Sequence, residues 1–291
     1  MAIEKLHEKI RSLKNPAMVD FGIQMTSIPR HILDAEGDTL AAYTRFCREL
    51  MEGLKDFVPA VRFSFDLFAL LGADGLNRLS ELLKYAADLG YYIVLEGPQI
   101  LSPWGADRAA EGIFGGDAYP CDALLVSPYI GSDAIKPFLP YVKDEKKDLF
   151  LIVRSPNKSA LELQDLYTGS RLAHMSTAEI VNRMGEGLYE KCGYSRVGAS
   201  VSAGAPATLR NLRSGCNRMF LLVDGLDYPS GNFKNSSLAF DQFGYGAVLC
   251  AGPSVTAAWQ EAESDGTDFV EHAVKAAENI KRNISRYITI L

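Results

Sequence analysis

Residues 93–104 read IVLEGPQILSPW: an apolar run that empties into a loop carrying one acid, no base and two prolines. The run is short, continuously apolar and shows no alternation, which is the pattern of a strand buried on both faces. Working outward, runs of the same kind stand at 18–23, 60–65, 123–126, 149–153, 197–201, 219–223 and 247–250, with 92–95 among them. Each is followed by a longer stretch of helical periodicity, as in a parallel sheet with helical crossovers. Eight such β/α units predict a closed (β/α)8 TIM barrel of the α/β class.

The helical stretches carry their apolar residues at spacings of three and four. Over 39–57 the stripe is Leu40, Tyr43, Phe46, Cys47, Leu50 and Leu54, and over 74–89 it is Leu76, Leu79, Leu82, Leu83 and Ala86. One face of each helix is therefore built to pack inward. Further helices are expected over 130–141, 177–191, 207–213, 235–243 and 268–287, and an extra N-terminal helix over 1–13 closes the barrel floor. No repeat, linker or low-complexity tract interrupts this order, so residues 1–291 are expected to form one domain, a size that α/β barrels reach.

A formal net charge of −6, with both signs interspersed, provides no basic footprint for a nucleic-acid partner. The N-terminus, MAIEKLHEKIRSLKNP, is charged throughout, and no run reaches the roughly 18 apolar residues of a membrane span. Five scattered cysteines without a CxxC pattern suit a reducing compartment, and the expected location is the cytoplasm.

In this fold the chemistry sits at the C-terminal strand ends. The polar residues expected there are Gln24, Arg62, Ser64, Glu96, Gln99, Ser127, Arg154, Asn157, Ser202, Asp224 and Asp227. Arg62 and Glu96 are the candidates for catalysis, Glu96 as a general base or the two together as a clamp for a zwitterion. Their plainer reading is an ion pair inside the barrel mouth. Gln24, Arg62, Ser127, Arg154, Asn157 and Asp224 are the candidate ligand-binding residues. None of the four histidines falls at a strand end, and Glu96, Asp224 and Asp227 lack a recognised metal spacing, so no metal and no cofactor are expected. The glycine-rich 112–117 follows a helix instead of opening one, and the serines of 198–204 have no histidine nearby to activate them.

Three stretches carry a resemblance: Leu124-Leu125-Val126-Ser127-Pro128-Tyr129-Ile130-Gly131-Ser132-Asp133 with Lys136-Pro137-Phe138, Ile152-Val153-Arg154-Ser155-Pro156-Asn157 with Leu163-Gln164, and Val197-Gly198-Ala199-Ser200-Val201 leading to Leu209 and Arg213. Over nearly its whole length the chain resembles the type 2 orotidine 5'-phosphate decarboxylase family. The resemblance implies a TIM barrel, a homodimer and a lysine that protonates a pyrimidine carbanion. In the family, strand three ends Asp-x-Lys-Arg-Gly-Asp; here the frame reads Glu96-Gly97-Pro98-Gln99-Ile100-Leu101. Pro98 stands at the lysine, Gln99 at the arginine, and Leu101 at the aspartate lent across the dimer interface. The same matching puts Gln24 at a ribose-contacting aspartate, Arg62 at a lysine, Pro156 at a serine, Pro229 at a phosphate-loop glutamine, and Gly252-Pro253 at a Ser-Arg pair.

The expectation is therefore a divergent, non-decarboxylating homologue with a binding, regulatory or structural role. Its ligand would be a small molecule, phosphorylated or zwitterionic. Two alternatives stand beside it: an enzyme of another reaction class using Arg62 and Glu96, and a retained decarboxylase, for which Lys158 and Lys234 are the lysines able to reach inward.

Overall fold

Alternation along the strands decides what fills the centre of the molecule. In the computed structural model, which describes residues 2–22, 24–98 and 102–291, eight parallel strands close into a barrel. They are β1 (Ala17–Asp20), β2 (Ala60–Ser64), β3 (Tyr92–Glu96), β4 (Ala123–Val126), β5 (Asp148–Arg154), β6 (Val197–Ser202), β7 (Leu221–Asp224) and β8 (Ala247–Ala251). Each pairs with its sequence neighbour, and β1 closes on β8. The (β/α)8 expectation is met, in a single domain with the extra N-terminal helix.

Every second strand residue points inward. Met18, Ala60, Tyr92, Val94, Ala123, Leu125, Phe150, Leu222, Val248 and Cys250 form the interior cluster. The helix Ala2–Leu13 plugs its lower end with Ile3, Leu6 and Ile10. The other strand faces, including Val19, Val61, Phe63, Ile93 and Leu95, pack against the surrounding helices in a separate, larger core. Thr39–Leu54 buries Tyr43, Phe46, Cys47, Leu50 and Leu54, and Gly72–Asp88 buries Leu79, Leu82, Leu83 and Ala86, which is the inward stripe expected from the spacing.

Some bounds differ. The stretch 130–141 is two short 3-10 turns, Ser132–Ala134 and Lys136–Phe138, running into a helix at Leu139–Asp144, because Pro137 removes a backbone donor where a longer helix would need it. β1 ends at Asp20 instead of 23, and Ile23 lies outside the described residues. Among the described residues, no helix is long and apolar enough to cross a membrane. All five cysteines are free thiols.

Candidate functional site

The inward alternation that builds the apolar interior continues upward into a polar layer. On β1, Asp20 follows Met18 on the same face; on β2, Arg62 follows Ala60; on β3, Glu96 follows Val94; on β7, Asp224 follows Leu222. Register sets Asp20 directly beside Arg62. At the C-terminal end of the barrel these residues line a cavity of about 570 Å³, together with Gln24, Ser155, Asn157, Ser200 and Asp227. Such a volume suits a small-molecule ligand.

Arg62 is the centre of this layer. It is only 7% exposed, and its guanidinium donates from Nη2 to Asp20 Oδ2 at 2.7 Å and from Nη1 to Asp224 Oδ2 at 3.0 Å. Glu96 Oε2 lies 3.6 Å from Nε, close enough for charge attraction and too far for a hydrogen bond. Burial by itself opposes the positive charge, but Asp20, Asp224 and Glu96 together hold the guanidinium pKa well above its ordinary value. Arg62 is therefore a permanent cation that neither gives up nor takes a proton.

A second carboxylate arrangement sits on the far side of the mouth. Asp227, in the loop after β7, accepts from the backbone N–H of Gly252 at 2.7 Å, just past β8. In α/β barrels, the loops after strands seven and eight frequently hold a phosphate. Here a side chain of the protein already takes up one of those donors. Gly225, in the same loop, has a φ of +76°, and a Cβ there would lie 2.3 Å from Pro156 Cβ, so the loops after β5 and β7 meet at a point only glycine fits.

Of the candidates from the sequence, Gln24, Arg62, Glu96, Asn157, Asp224 and Asp227 are brought together around the cavity. Two of the candidate ligand-binding residues are not. Arg154 points away because β5 carries an irregularity after Ile152 that sets Arg154 beside Val201, whose side chain belongs to the outer core. Its guanidinium forks onto Asp165 at 2.9 and 3.0 Å. Ser127 stands just beyond β4, where its hydroxyl accepts from the Tyr129 N–H at 3.4 Å. Ser64 and Ser202 also lie off the lining, and Gln99 and Leu101 lie outside the described residues. Lys158 and Lys234 are exposed, and among the described residues no lysine lines the cavity. Neither Pro98 nor Trp104 blocks it; Trp104 is 91% exposed.

Sequence reasoning missed Asp20, Ser200, Tyr228 and Cys250, all of which line the cavity. Asp20 lies inside the apolar run 18–23, whose length hides the strand's end. Counting alternate residues upward from Met18 places Asp20 on the interior face. Among the described residues, no group of three or more His, Cys, Asp or Glu side chains is placed to hold a metal ion.

Fold and cavity together define a (β/α)8 barrel with a polar cavity at its C-terminal mouth. The particular kinship comes from comparison with known proteins. No protein-family model matches the chain. It is 29% identical over 268 residues to the orotidine 5'-phosphate decarboxylase of Rhodopirellula baltica, covering 87% of this chain and 88% of that protein. It is 24% identical over 287 residues to the protein of the same name from Clostridium novyi, covering 98% and 99%. Among solved structures, Leishmania donovani OMP decarboxylase superposes with a TM-score of 0.71 at 24% identity, covering 97% of this chain and 99% of that one, a likeness of fold. These likenesses support membership of the orotidine 5'-phosphate decarboxylase family.

Proposed function

We propose that this chain is a non-decarboxylating relative of the orotidine 5'-phosphate decarboxylases, a cytoplasmic barrel, paired as a homodimer, that holds a small polar ligand in its mouth for a binding or regulatory role. The observation that carries the reading is the state of Arg62. Loss of carbon dioxide from a pyrimidine acid leaves a carbanion, which requires a nearby acid to protonate it. Among the described residues, the one cationic side chain lining the mouth is a guanidinium, which does not release its proton in proteins. It is also engaged by Asp20 and Asp224. Pro98, two residues past the end of β3, has no side-chain proton to offer in place of a lysine. The four carboxylates of the mouth would oppose a substrate that is itself an anion at both its phosphate and its carboxylate.

Two other readings each have an observation behind them. Retained decarboxylase activity draws on the near full-length likeness to curated decarboxylases. Catalysis of another reaction class by Glu96 with Arg62 draws on the cavity of about 570 Å³ that the two residues line. Expression in a bacterial strain that lacks its own orotidine 5'-phosphate decarboxylase separates the first from the proposal. The proposal expects no growth without added uracil, and growth restored by this chain would defeat it.

A further inference from the structure

The last helix, Phe269–Ile284, buries Phe269, Ala273, Ala277 and Ile284 in the outer core. Beside that face runs a second stripe at helical spacing, Lys275, Asn279 and Asn283 with Ala276 and Ile280, which lines a cavity of about 660 Å³. Helices and loops build this cavity instead of strands. It borders the loop after β7 and meets the lining of the mouth at Leu226 and Asp227. The short helix Ala258–Glu261 brings Glu261 to the same recess.

Four ionisable side chains line it, and two of them are engaged. His272 Nε2 lies 3.1 Å from Asp268 Oδ2, and Asp227 accepts from the Gly252 N–H at 2.7 Å. The other two, Lys275 and Glu261, form no ion pair with each other. Among the described residues, neither they nor the amides of Asn279 and Asn283 make any hydrogen bond or ion pair through their side chains. Phe233 and Ile280 add apolar surface, and the short side chains of Ala258, Ala262 and Ala276 leave room for a ligand. One free cation, one free anion and two free amides around a recess with an apolar wall favour a ligand that carries both charges and an apolar body.

We propose that this second cavity binds a free amino acid with an apolar side chain. Its carboxylate would lie toward Lys275 and the amides of Asn279 and Asn283, its ammonium toward Glu261, and its side chain against Phe233 and Ile280. The site is separate from whatever ligand the mouth holds and from whether the mouth decarboxylates.

L-Leucine tests the claim on the full chain, beside two matched halves: 3-methylbutylamine, which lacks the carboxylate, and 4-methylpentanoate, which lacks the ammonium. Binding to the native state raises the thermal midpoint in a saturable way. Leucine should do so, and each half, having lost one exposed charge contact, should bind about three- to fivefold more weakly. Lys275→Gln should weaken leucine by a similar factor and leave 3-methylbutylamine undiminished. Glu261→Gln should weaken leucine and leave 4-methylpentanoate undiminished. Both residues are exposed, so neither variant puts folding at risk. A general change in stability, or binding at the mouth, would not produce this crossed pattern. No saturable response to leucine, a half that binds as tightly as leucine, or leucine binding undiminished in both variants would each overturn the proposal.

Discussion

The Arg62 guanidinium lies 2.7 Å from the Asp20 carboxylate, on adjacent strands whose register sets the two residues side by side. Together with Asp224 on β7, they tie the first, second and seventh strands at the top of the barrel. Replacing Arg62 by Leu would leave these carboxylates without their counter-charge and should cost about 3–5 kcal/mol of stability, whereas Arg62→Lys keeps the charge and should lose less. Urea unfolding of both variants checks the order. Equal losses would mean that shape, and not charge, holds the mouth together.

At the opposite end, Asp148 is fully buried at the start of β5, accepts from the Tyr92 hydroxyl at 2.6 Å, and has no partner for its other oxygen. Burial pushes its carboxyl well above the usual carboxylate range, against the opposing pull of the Tyr92 hydrogen bond. The native state then keeps a proton that the unfolded chain has already lost. Stability should therefore fall as pH rises from the ordinary carboxylate pKa toward the raised native one. Asp148→Asn retains an acceptor for Tyr92 and should raise the thermal midpoint at neutral pH while flattening its pH dependence. A variant that melts lower with an unchanged pH profile would show Asp148 to be ionised and well accommodated.

Asp165 links the loop after β5 to the outer helices. It receives the fork from Arg154 and lies 3.1 Å from His174 Nδ1, and the other ring nitrogen of His174 is 3.1 Å from the Thr208 hydroxyl. Hydrogen bonding from Arg154 holds the Asp165 carboxyl below its ordinary value. That contribution is present above the unfolded carboxylate pKa and is lost as pH falls through the lower native one. Asp165→Asn should loosen the exposed hairpin strands Tyr167–Thr168 and Arg171–Leu172, so limited proteolysis there should quicken severalfold at neutral pH. An unchanged rate would place the anchor elsewhere.

Gly225→Ala tests the contact between the loops after β5 and β7. The φ of +76° and the approach to Pro156 both oppose a side chain, so a loss of roughly 1–3 kcal/mol in chemical unfolding is expected. A neutral substitution would mean that the two loops part easily.

How far these features could be read beforehand depended on the kind of signal. The barrel was legible because the strands are buried on both faces, as in 123–126 and 197–201, and the intervening helices carry regular apolar stripes. The mouth was legible wherever alternation runs unbroken, as from Ala60 to Arg62 and from Val94 to Glu96. It failed at Arg154, because a one-residue irregularity after Ile152 turns the side chain outward and leaves no trace in residue type. It failed at Asp20, because Phe21 prolongs the apolar run past the strand's end. The seat of Asp227 on Gly252 joins residues 25 positions apart through two loops, and neither periodicity nor composition reports such a contact.

The central claim is that a mouth centred on a guanidinium does not decarboxylate. The most direct test is release of labelled carbon dioxide from carboxyl-labelled orotidine 5'-phosphate by the purified chain, beside a working decarboxylase at equal concentration. The account predicts release indistinguishable from the protein-free control. Turnover at an enzymatic rate by the unaltered chain would contradict it.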